Sequence, residues 1–147
     1  MASCDYTICS KDSVFSIKET AIGRVANLGL FQRIIKNGGN VGILKKYSYS
    51  GENFGWNDAL KLGIVGEVAG NSKDLEEKTF SLAEKLGSMS PLVSRGIKKI
   101  IHFSRDNSIN TSLEMIATMN EALLQSKDVE SSVRAVLTKS KAIYPKL

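Results

Sequence analysis

The chain has 147 residues, which is enough for one folded domain with its own hydrophobic core. Its apolar content of 42% and charged content of 24% are ordinary for a globular protein, and no apolar run approaches the ~18 residues of a membrane span. The formal charge of +5 comes from lysines and arginines dispersed among acids, without a nucleic-acid-binding motif. This pattern favours a solvated surface over nucleic-acid binding and leaves open a basic rim around a phosphorylated ligand.

The counts of cysteine and histidine limit the chemistry further. Cys4 and Cys9 are too few for a disulfide framework. Together with the single histidine, His102, they provide neither a conventional zinc site nor a Ser-His-Asp triad. His102 follows "IKKII" in a predicted helix, where we expect it to be at the surface or half-buried. Any catalysis is therefore expected to use carboxylates, amides, lysine, tyrosine or backbone groups.

Short strands and helices are predicted for the first part of the chain. "DYTIC" and "SVFSI" alternate apolar and polar residues and predict two strands. Helical spacing follows over residues 27–36 and ends at Gly38 and Gly39. "KKYSYSG" predicts a strand with a turn, and "NDALKLG" predicts a helix capped by Asn57 and ended by Gly63. "IVGEV" predicts a further strand.

Helices are predicted for the remainder. Asp74 with Glu77 resembles a capping box at the start of a helix that ends at Gly87. Ser90 followed by Pro91 predicts the start of a second helix. Two more segments of helical apolar spacing follow. Because the strands are too few to close a sheet, the pattern indicates either a mostly helical domain or the second half of a larger one, and the early first strand favours the latter.

Five segments follow one another in a recognisable order: "SCDYTICSKDSVFSIKE", "NLGLFQRIIKNGGN", "NDALKLGIVGEV", "SMSPLVSRGIKKII" and "SRDNSINTSLEMIATMNEALLQSKDVESSV". This order resembles the enoyl-CoA hydratase/isomerase (crotonase) superfamily. The second and fifth segments are similar to its delta(3,5)-delta(2,4)-dienoyl-CoA isomerase branch. The resemblance covers essentially all 147 residues, but only about the C-terminal half of a complete family member.

The resemblance implies an α/β fold: the C-terminal part of a crotonase-like ββα spiral, with few strands followed by a helical trimerisation region. We expect residues 1–70 to form the C-terminal part of the spiral core. Residues 71–147 are expected to form a helical region for oligomerisation and coenzyme A contacts. The family's thioester-binding backbone amides and its first carboxylate would lie upstream of Cys4, so the chain is either a fragment or a natural short product.

The resemblance also implies a chemistry. It predicts an isomerase of fatty acid β-oxidation that converts 3,5-dienoyl-CoA to 2,4-dienoyl-CoA by carboxylate-mediated proton transfer. The two catalytic acids align with Glu19 and with Asn27, where dienoyl-CoA isomerases have aspartate. An amide cannot exchange a proton as a carboxylate does. Two alternatives stay open: Glu19 as a solvated acid paired with Lys18 or Arg24, and Asn27 as a helix N-cap.

Other activities also stay open at this point. One is enoyl-CoA hydration, and another is a truncated, non-catalytic homologue that acts only in assembly. The isolated chain is expected to be inactive, because the oxyanion-binding amides and the upstream acid would lie outside it. The implied partners are an acyl-CoA substrate and further copies of the chain, in a trimer or dimer of trimers, with no nucleic acid, no membrane span, no metal and no cofactor beyond the substrate's coenzyme A.

The end of the chain, "KSKAIYPKL", adds a second group of candidate residues. The resemblance places basic and aromatic residues of this tail near the coenzyme A nucleotide of a neighbouring subunit, which predicts contacts from Lys139, Lys141 and Tyr144. A solvated basic tail is the alternative. The last residues, Pro145-Lys146-Leu147, resemble the Ser-Lys-Leu peroxisomal address and predict a peroxisomal location, with mitochondrial or cytoplasmic locations as alternatives.

Overall fold

The computed structural model describes residues 1–145. Within that range, few short strands near the N-terminus are followed by long helices, so the predicted α/β class is confirmed. The elements are β1 (Ile8–Ser10), β2 (Val14–Ser16), α1 (Leu30–Lys36), α2 (Val41–Ser50), β3 (Asn53–Gly55), α3 (Trp56–Lys61), β4 (Glu67–Ala69), α4 (Ser72–Gly87), α5 (Pro91–Asp106), α6 (Ile109–Leu123) and α7 (Lys127–Thr138). A single turn of 3-10 helix, Glu19–Ile22, lies between β2 and α1.

Contacts divide the chain into two compact units, Met1–Ser81 and Leu82–Leu147. The first unit holds β1 to β4 and α1 to α3, and the second holds α5 to α7. The predicted division between residues 70 and 71 separates a spiral core from a region for oligomerisation and coenzyme A contacts. That division of roles stays a prediction.

The strands of the first unit form two small sheets around a hydrophobic core. β1 pairs with β4 in parallel, and β2 pairs with β3 in antiparallel orientation, with Phe15 opposite Phe54. The ring of Phe54 stacks on Phe15 at a centroid distance of 5.6 Å and on Tyr47 at 4.4 Å. This aromatic row joins the second sheet to α2 and fixes the end of β2, from which the candidate site begins.

The strand predicted for "KKYSYSG" is wrong, because this segment forms the C-terminal part of α2. The side chain of Asn40 caps the helix by accepting a hydrogen bond from the backbone N–H of Ile43 at 3.0 Å. Leu44, Tyr47 and Ser48 are buried at helical spacing, and burial of this face overrides the local strand propensity of the two tyrosines.

Two predicted helix starts also need correction. α3 begins at Trp56 with Gly55 in the N-cap position, so Asn57 lies inside the first turn and is not the cap. Gly63, with a φ of +69°, follows the helix end as predicted.

The start of α4 lies before the predicted capping box. The side chain of Asn71 accepts a hydrogen bond from the Asp74 N–H at 3.0 Å, and the Asp74 carboxylate accepts one from the Gly70 N–H at 2.7 Å. Asn71 is therefore the N-cap residue, the position predicted for Asp74. Asp74 is instead the acid whose carboxylate bonds to the backbone that precedes the helix. The predicted end at Gly87 is confirmed.

Asp58 in α3 is the group from which we expect a pH dependence of the stability of the first unit. Its carboxylate accepts hydrogen bonds from the Tyr47 hydroxyl and from Lys61 Nζ, the latter at 3.1 Å. These bonds, that of Tyr47 first, hold the pKa of Asp58 below its ordinary value of 3.8. A lowered folded-state pKa stabilises the fold above the unfolded pKa, and this stability is lost as the pH falls through the folded value.

We therefore expect the urea midpoint of the wild type to fall more steeply than that of Asp58→Asn as the pH is lowered from 5 to 2. The asparagine variant lacks the titrating group, so its own decrease should be shallower. Parallel curves for the two proteins would show that Asp58 does not carry this linkage.

No helix among residues 1–145 is both long and apolar enough to cross a membrane.

Candidate functional site

The first candidate site is the loop of residues 17–29, called the Glu19 loop below. It leaves the paired strand β2 at Ile17, whose side chain is buried in the core, and it ends at the start of α1. Glu19 opens the 3-10 turn. The hydroxyl of Thr20 donates a hydrogen bond to the Ser48 carbonyl, which ties this turn to α2. The backbone that carries Glu19 is therefore attached to two ordered elements.

The Glu19 side chain is half-buried and makes no salt bridge with Lys18 or Arg24 in the part of the chain that the structure describes. The structure thus does not contain the ion pair of the surface-acid alternative, and the catalytic role of Glu19 stays a prediction. Arg24 instead donates its backbone N–H to the Glu19 carbonyl at 3.1 Å, and Gly23, with a φ of +69°, completes the turn. A carboxylate on an anchored turn can serve as a general acid or base where a substrate proton comes within hydrogen-bond reach.

The Glu19 loop also carries three exposed large apolar side chains. Ile22 is 63% exposed, Val25 74% and Leu28 85%. Apolar groups clustered in a short segment next to a carboxylate suit contact with an apolar ligand or partner.

Asn27 is exposed, and it does not cap α1. The helix begins at Leu30, and its N-cap residue is Gly29 with a φ of +77°. Arg33 closes the loop by donating from Nη1 to the Leu28 carbonyl at 2.6 Å, and a Cβ on Gly29 would collide with that guanidinium. The capping alternative for Asn27 is therefore wrong, and its contact with a substrate stays a prediction.

The second group of candidates lies in the other unit, after α7. Lys139 and Lys141 are exposed, and the half-buried Tyr144 places its hydroxyl 3.0 Å from Ser132 Oγ. The structure thus brings Glu19 and Asn27 into one loop, and Lys139, Lys141 and Tyr144 into one tail. Of the predicted peroxisomal address, Lys146 and Leu147 lie outside the described residues.

Sequence reasoning missed a network of polar groups in the same unit, formed by Ser90, Asp128 and Ser132. Asp128 is only 3% exposed, its carboxylate accepts a hydrogen bond from the Ser90 hydroxyl, and its carbonyl accepts one from Ser132 Oγ at 2.8 Å. The (i, i+4) spacing of Asp128 and Ser132 was a local signal, but the partner Ser90 lies 38 residues away. Among residues 1–145, no three histidine, cysteine or acidic side chains are grouped so that they could hold a metal ion.

Comparisons with known proteins agree over almost the whole chain. A family model described as Enoyl-CoA hydratase/isomerase matches residues 1–146. The chain is 34% identical over 147 residues to the peroxisomal delta(3,5)-delta(2,4)-dienoyl-CoA isomerase of Arabidopsis thaliana, covering 100% of this chain and 52% of that protein. It is 33% identical over 139 residues to the mitochondrial delta(3,5)-delta(2,4)-dienoyl-CoA isomerase of Mus musculus, covering 95% and 42%.

The fold is similar to that of solved structures with the same family name. An enoyl-CoA hydratase from Bacillus anthracis superposes with a TM-score of 0.88 at 26% identity, covering 97% of this chain and 55% of that one. The chain therefore spans about half the length of the curated relatives it matches.

Proposed function

Because the chain belongs to the enoyl-CoA hydratase/isomerase family, we propose that the protein shifts the double bonds of a 3,5-dienoyl-CoA to give the conjugated 2,4-dienoyl-CoA, a step of fatty acid β-oxidation. The two curated relatives that carry the name of this isomerase, at 34% and 33% identity, support the choice within the family. The observation that carries the proposal is the half-buried residue Glu19, which has no ion pair with Lys18 or Arg24 and lies in a loop with three exposed apolar side chains.

The reaction moves one proton along the acyl chain. Converting C3=C4 and C5=C6 into C2=C3 and C4=C5 removes a proton from C2 and adds one at C6. The C2–H electron pair becomes the C2=C3 bond, the C3=C4 pair becomes the C4=C5 bond, and the C5=C6 pair forms the new C6–H bond. A positioned carboxylate accepts a proton in one step and returns it in another. Since C2 and C6 are four carbons apart, two acids divide this work most directly, one at each carbon.

In this proposal Glu19 transfers the proton at one of the two carbons, and the exposed apolar side chains of the Glu19 loop contact the acyl chain. Asn27 is placed at the second carbon. Its amide cannot take up and release a proton near neutral pH, so in this proposal a water molecule that hydrogen-bonds to the amide exchanges the second proton with solvent.

We therefore expect Asn27→Asp to raise the rate of dienoyl-CoA isomerisation about 10-fold or more, since a positioned acid contributes roughly 10²- to 10⁴-fold. The measurement is the initial rise in conjugated-diene absorbance with a 3,5-dienoyl-CoA. Asn57→Asp, the same change at an exposed position in the first turn of α3, is the matched control and should leave the rate unchanged. Equal rates for Asn27→Asp and the wild type would show that residue 27 does not face the acyl chain.

Asn27 also favours one second candidate, hydration of an enoyl-CoA, because hydration adds water to one double bond and needs no proton transfer to a distant carbon. The solved Bacillus anthracis structure, 26% identical, carries the name of such a hydratase. The protein at its natural length, offered a 3,5-dienoyl-CoA and a 2-enoyl-CoA in parallel, distinguishes the two. We expect a higher kcat/KM for the diene; a higher value for the 2-enoyl-CoA would favour the hydratase. Turnover of neither would favour a role in assembly alone.

The proposal also assigns residues to the coenzyme A portion of the substrate. Lys139, Lys141 and Tyr144 contact the coenzyme A portion, with the lysines at phosphate groups, and no cofactor is required beyond that coenzyme A.

The protein forms a homo-oligomer, a trimer or a dimer of trimers. Exposed apolar side chains on α5 to α7 support self-association, namely those of Ile97, Ile101, Ile109, Leu113, Val133, Val136 and Leu137. The relatives' names support a peroxisomal location, with a mitochondrial one as the alternative.

A further inference from the structure

The segment after α7, residues 139–145 and called the tail below, turns back toward that helix. Lys139 adopts the left-handed conformation, with a φ of +51°, and ends α7. The N–H of Ser140 donates to the Ala135 carbonyl at 2.9 Å, which closes the turn. Four residues later the hydroxyl of Tyr144 reaches Ser132 Oγ, at 3.0 Å, on the body of α7. This hydrogen bond holds the tail against the helix it has just left.

The direction of that hydrogen bond follows from counting protons. Ser132 has one hydroxyl proton, and it is donated to the Asp128 carbonyl at 2.8 Å. The Tyr144 hydroxyl must therefore donate to Ser132 Oγ. The Tyr144 oxygen then has only acceptor capacity left, so it cannot donate to a phosphate oxygen. Within the tail, the charged donors for phosphate are the ammonium groups of Lys139 and Lys141.

The turn of α7 that holds Tyr144 is itself hydrogen-bonded to the start of α5. The buried carboxylate of Asp128 accepts the Ser90 hydroxyl, and the same hydroxyl oxygen accepts the Val93 N–H at 3.0 Å at the start of α5. Asp128 and Ser132 are successive members of one helix face. The tail is therefore attached to a rigid, hydrogen-bonded turn, as precise placement of a binding group requires.

The conformation of Lys139 is a second, independent observation. Among residues 1–145 it is the one residue other than glycine with a positive φ. Glycine or asparagine normally takes this position at a helix end, because a longer side chain is strained there. A residue other than glycine in this conformation is a basis for a functional hypothesis, and here that residue carries an exposed ammonium group.

We propose that Ser132 is a positioning residue for the coenzyme A site: through Tyr144 it holds the tail so that Lys139 and Lys141 meet the phosphates of the nucleotide. Ser132 does not touch the ligand. The inference rests on the proposed function for the identity of the ligand, and on the hydrogen bonds above for the role of Ser132.

Binding of two unreactive probes to the protein at its natural length tests the proposal. Hexanoyl-CoA carries the nucleotide, whereas S-hexanoyl-pantetheine lacks it. We expect Ser132→Ala and Tyr144→Phe to weaken hexanoyl-CoA binding about 3- to 10-fold, as the loss of one hydrogen bond would. Binding of S-hexanoyl-pantetheine should not change. Ser132→Thr keeps the hydroxyl and should bind both probes as the wild type does.

Trypsin digestion measures the anchoring of the tail without any ligand. Cleavage after Lys139 and Lys141, followed by mass spectrometry, should be faster in Ser132→Ala than in the wild type and in Ser132→Thr. Equal cleavage rates in all three proteins would show that the tail is not held by Ser132.

The outcomes separate the two proposals. If the wild type binds hexanoyl-CoA but Ser132→Ala binds it equally well, the positioning role is wrong and the proposed function stands. Weakening of both probes to the same degree would show a merely structural role and would also overturn the inference. If the wild type binds neither probe, the acyl-CoA ligand is wrong, and with it the nucleotide role of the tail, whatever the trypsin result.

Discussion

Replacing Glu19 with glutamine should lower the rate of dienoyl-CoA isomerisation by about 10²- to 10⁴-fold, the contribution of a positioned general acid or base. Glutamine has nearly the shape of glutamate, so the turn anchored by Thr20 should be retained. What is lost is the capacity to accept and return a proton. The measurement is kcat for a 3,5-dienoyl-CoA with the protein at its natural length. KM should change little, because the side chain acts only in the proton-transfer steps of the proposed mechanism.

Glu52→Gln is the matched control for this prediction. Glu52 is an exposed acid just before β3 in the same unit, so its replacement makes the same change of charge away from the Glu19 loop. It should leave kcat unchanged. Wild-type activity in Glu19→Gln would show that this carboxylate is not a general acid or base. Equal losses of kcat in the two variants would attribute the effect to the lost negative charge and not to proton transfer by Glu19.

Gly39→Ala should destabilise the first unit by about 1–3 kcal/mol, the usual cost of forcing an extra carbon into a packed interior. A Cβ at this position would lie 2.5 Å from Ile34 Cγ2 and 2.5 Å from the Leu62 carbonyl oxygen. Ile34 is 2% exposed and Leu62 is fully buried, so neither can move without disturbing the core. The measurement is the urea midpoint followed by fluorescence of Trp56, the single tryptophan, which packs against that core.

Gly70→Ala is the matched control, because it makes the same glycine-to-alanine change at a position that has room for the added Cβ. Gly70 is exposed in the same unit, and its added Cβ would meet Asp74 Oδ2 at 3.6 Å, an ordinary contact. Its urea midpoint should stay close to that of the wild type. If Gly39→Ala were no less stable than Gly70→Ala, the close packing between Gly39 and Leu62 would be contradicted.

Much of the fold could be predicted because its signals are local. The Ser90-Pro91 helix start, the glycine after α3 and the apolar spacing of α4 to α7 each depend on neighbours within one or two helical turns. The failure at α2 has the opposite cause. Alternation of Tyr47 and Tyr49 with serines favours a strand locally, but the stacking of Tyr47 on Phe54 and its bond to Asp58 come from the tertiary fold.

The candidate site shows the same limit. The resemblance selected Glu19 and Asn27, but only the structure shows that Gly29 occupies the N-cap position and that Glu19 has no ion pair with its charged neighbours. The bonds from Thr20 to the carbonyl of Ser48 and from Ser90 to Asp128 join residues 28 and 38 positions apart. Periodicity carries no information on such pairs, because either side chain alone is compatible with a solvated surface.

The most direct measurement is the position of the double bonds in the product formed from a 3,5-dienoyl-CoA by the protein at its natural length. Absorbance of the conjugated diene gives the rate, and NMR of the product locates the bonds. Proton transfer from C2 to C6 predicts a 2,4-dienoyl-CoA that forms with the wild type and, far more slowly, with Glu19→Gln. An unchanged 3,5-diene, or formation of the 2,4-diene at equal rates with both proteins, would contradict isomerisation by the Glu19 carboxylate.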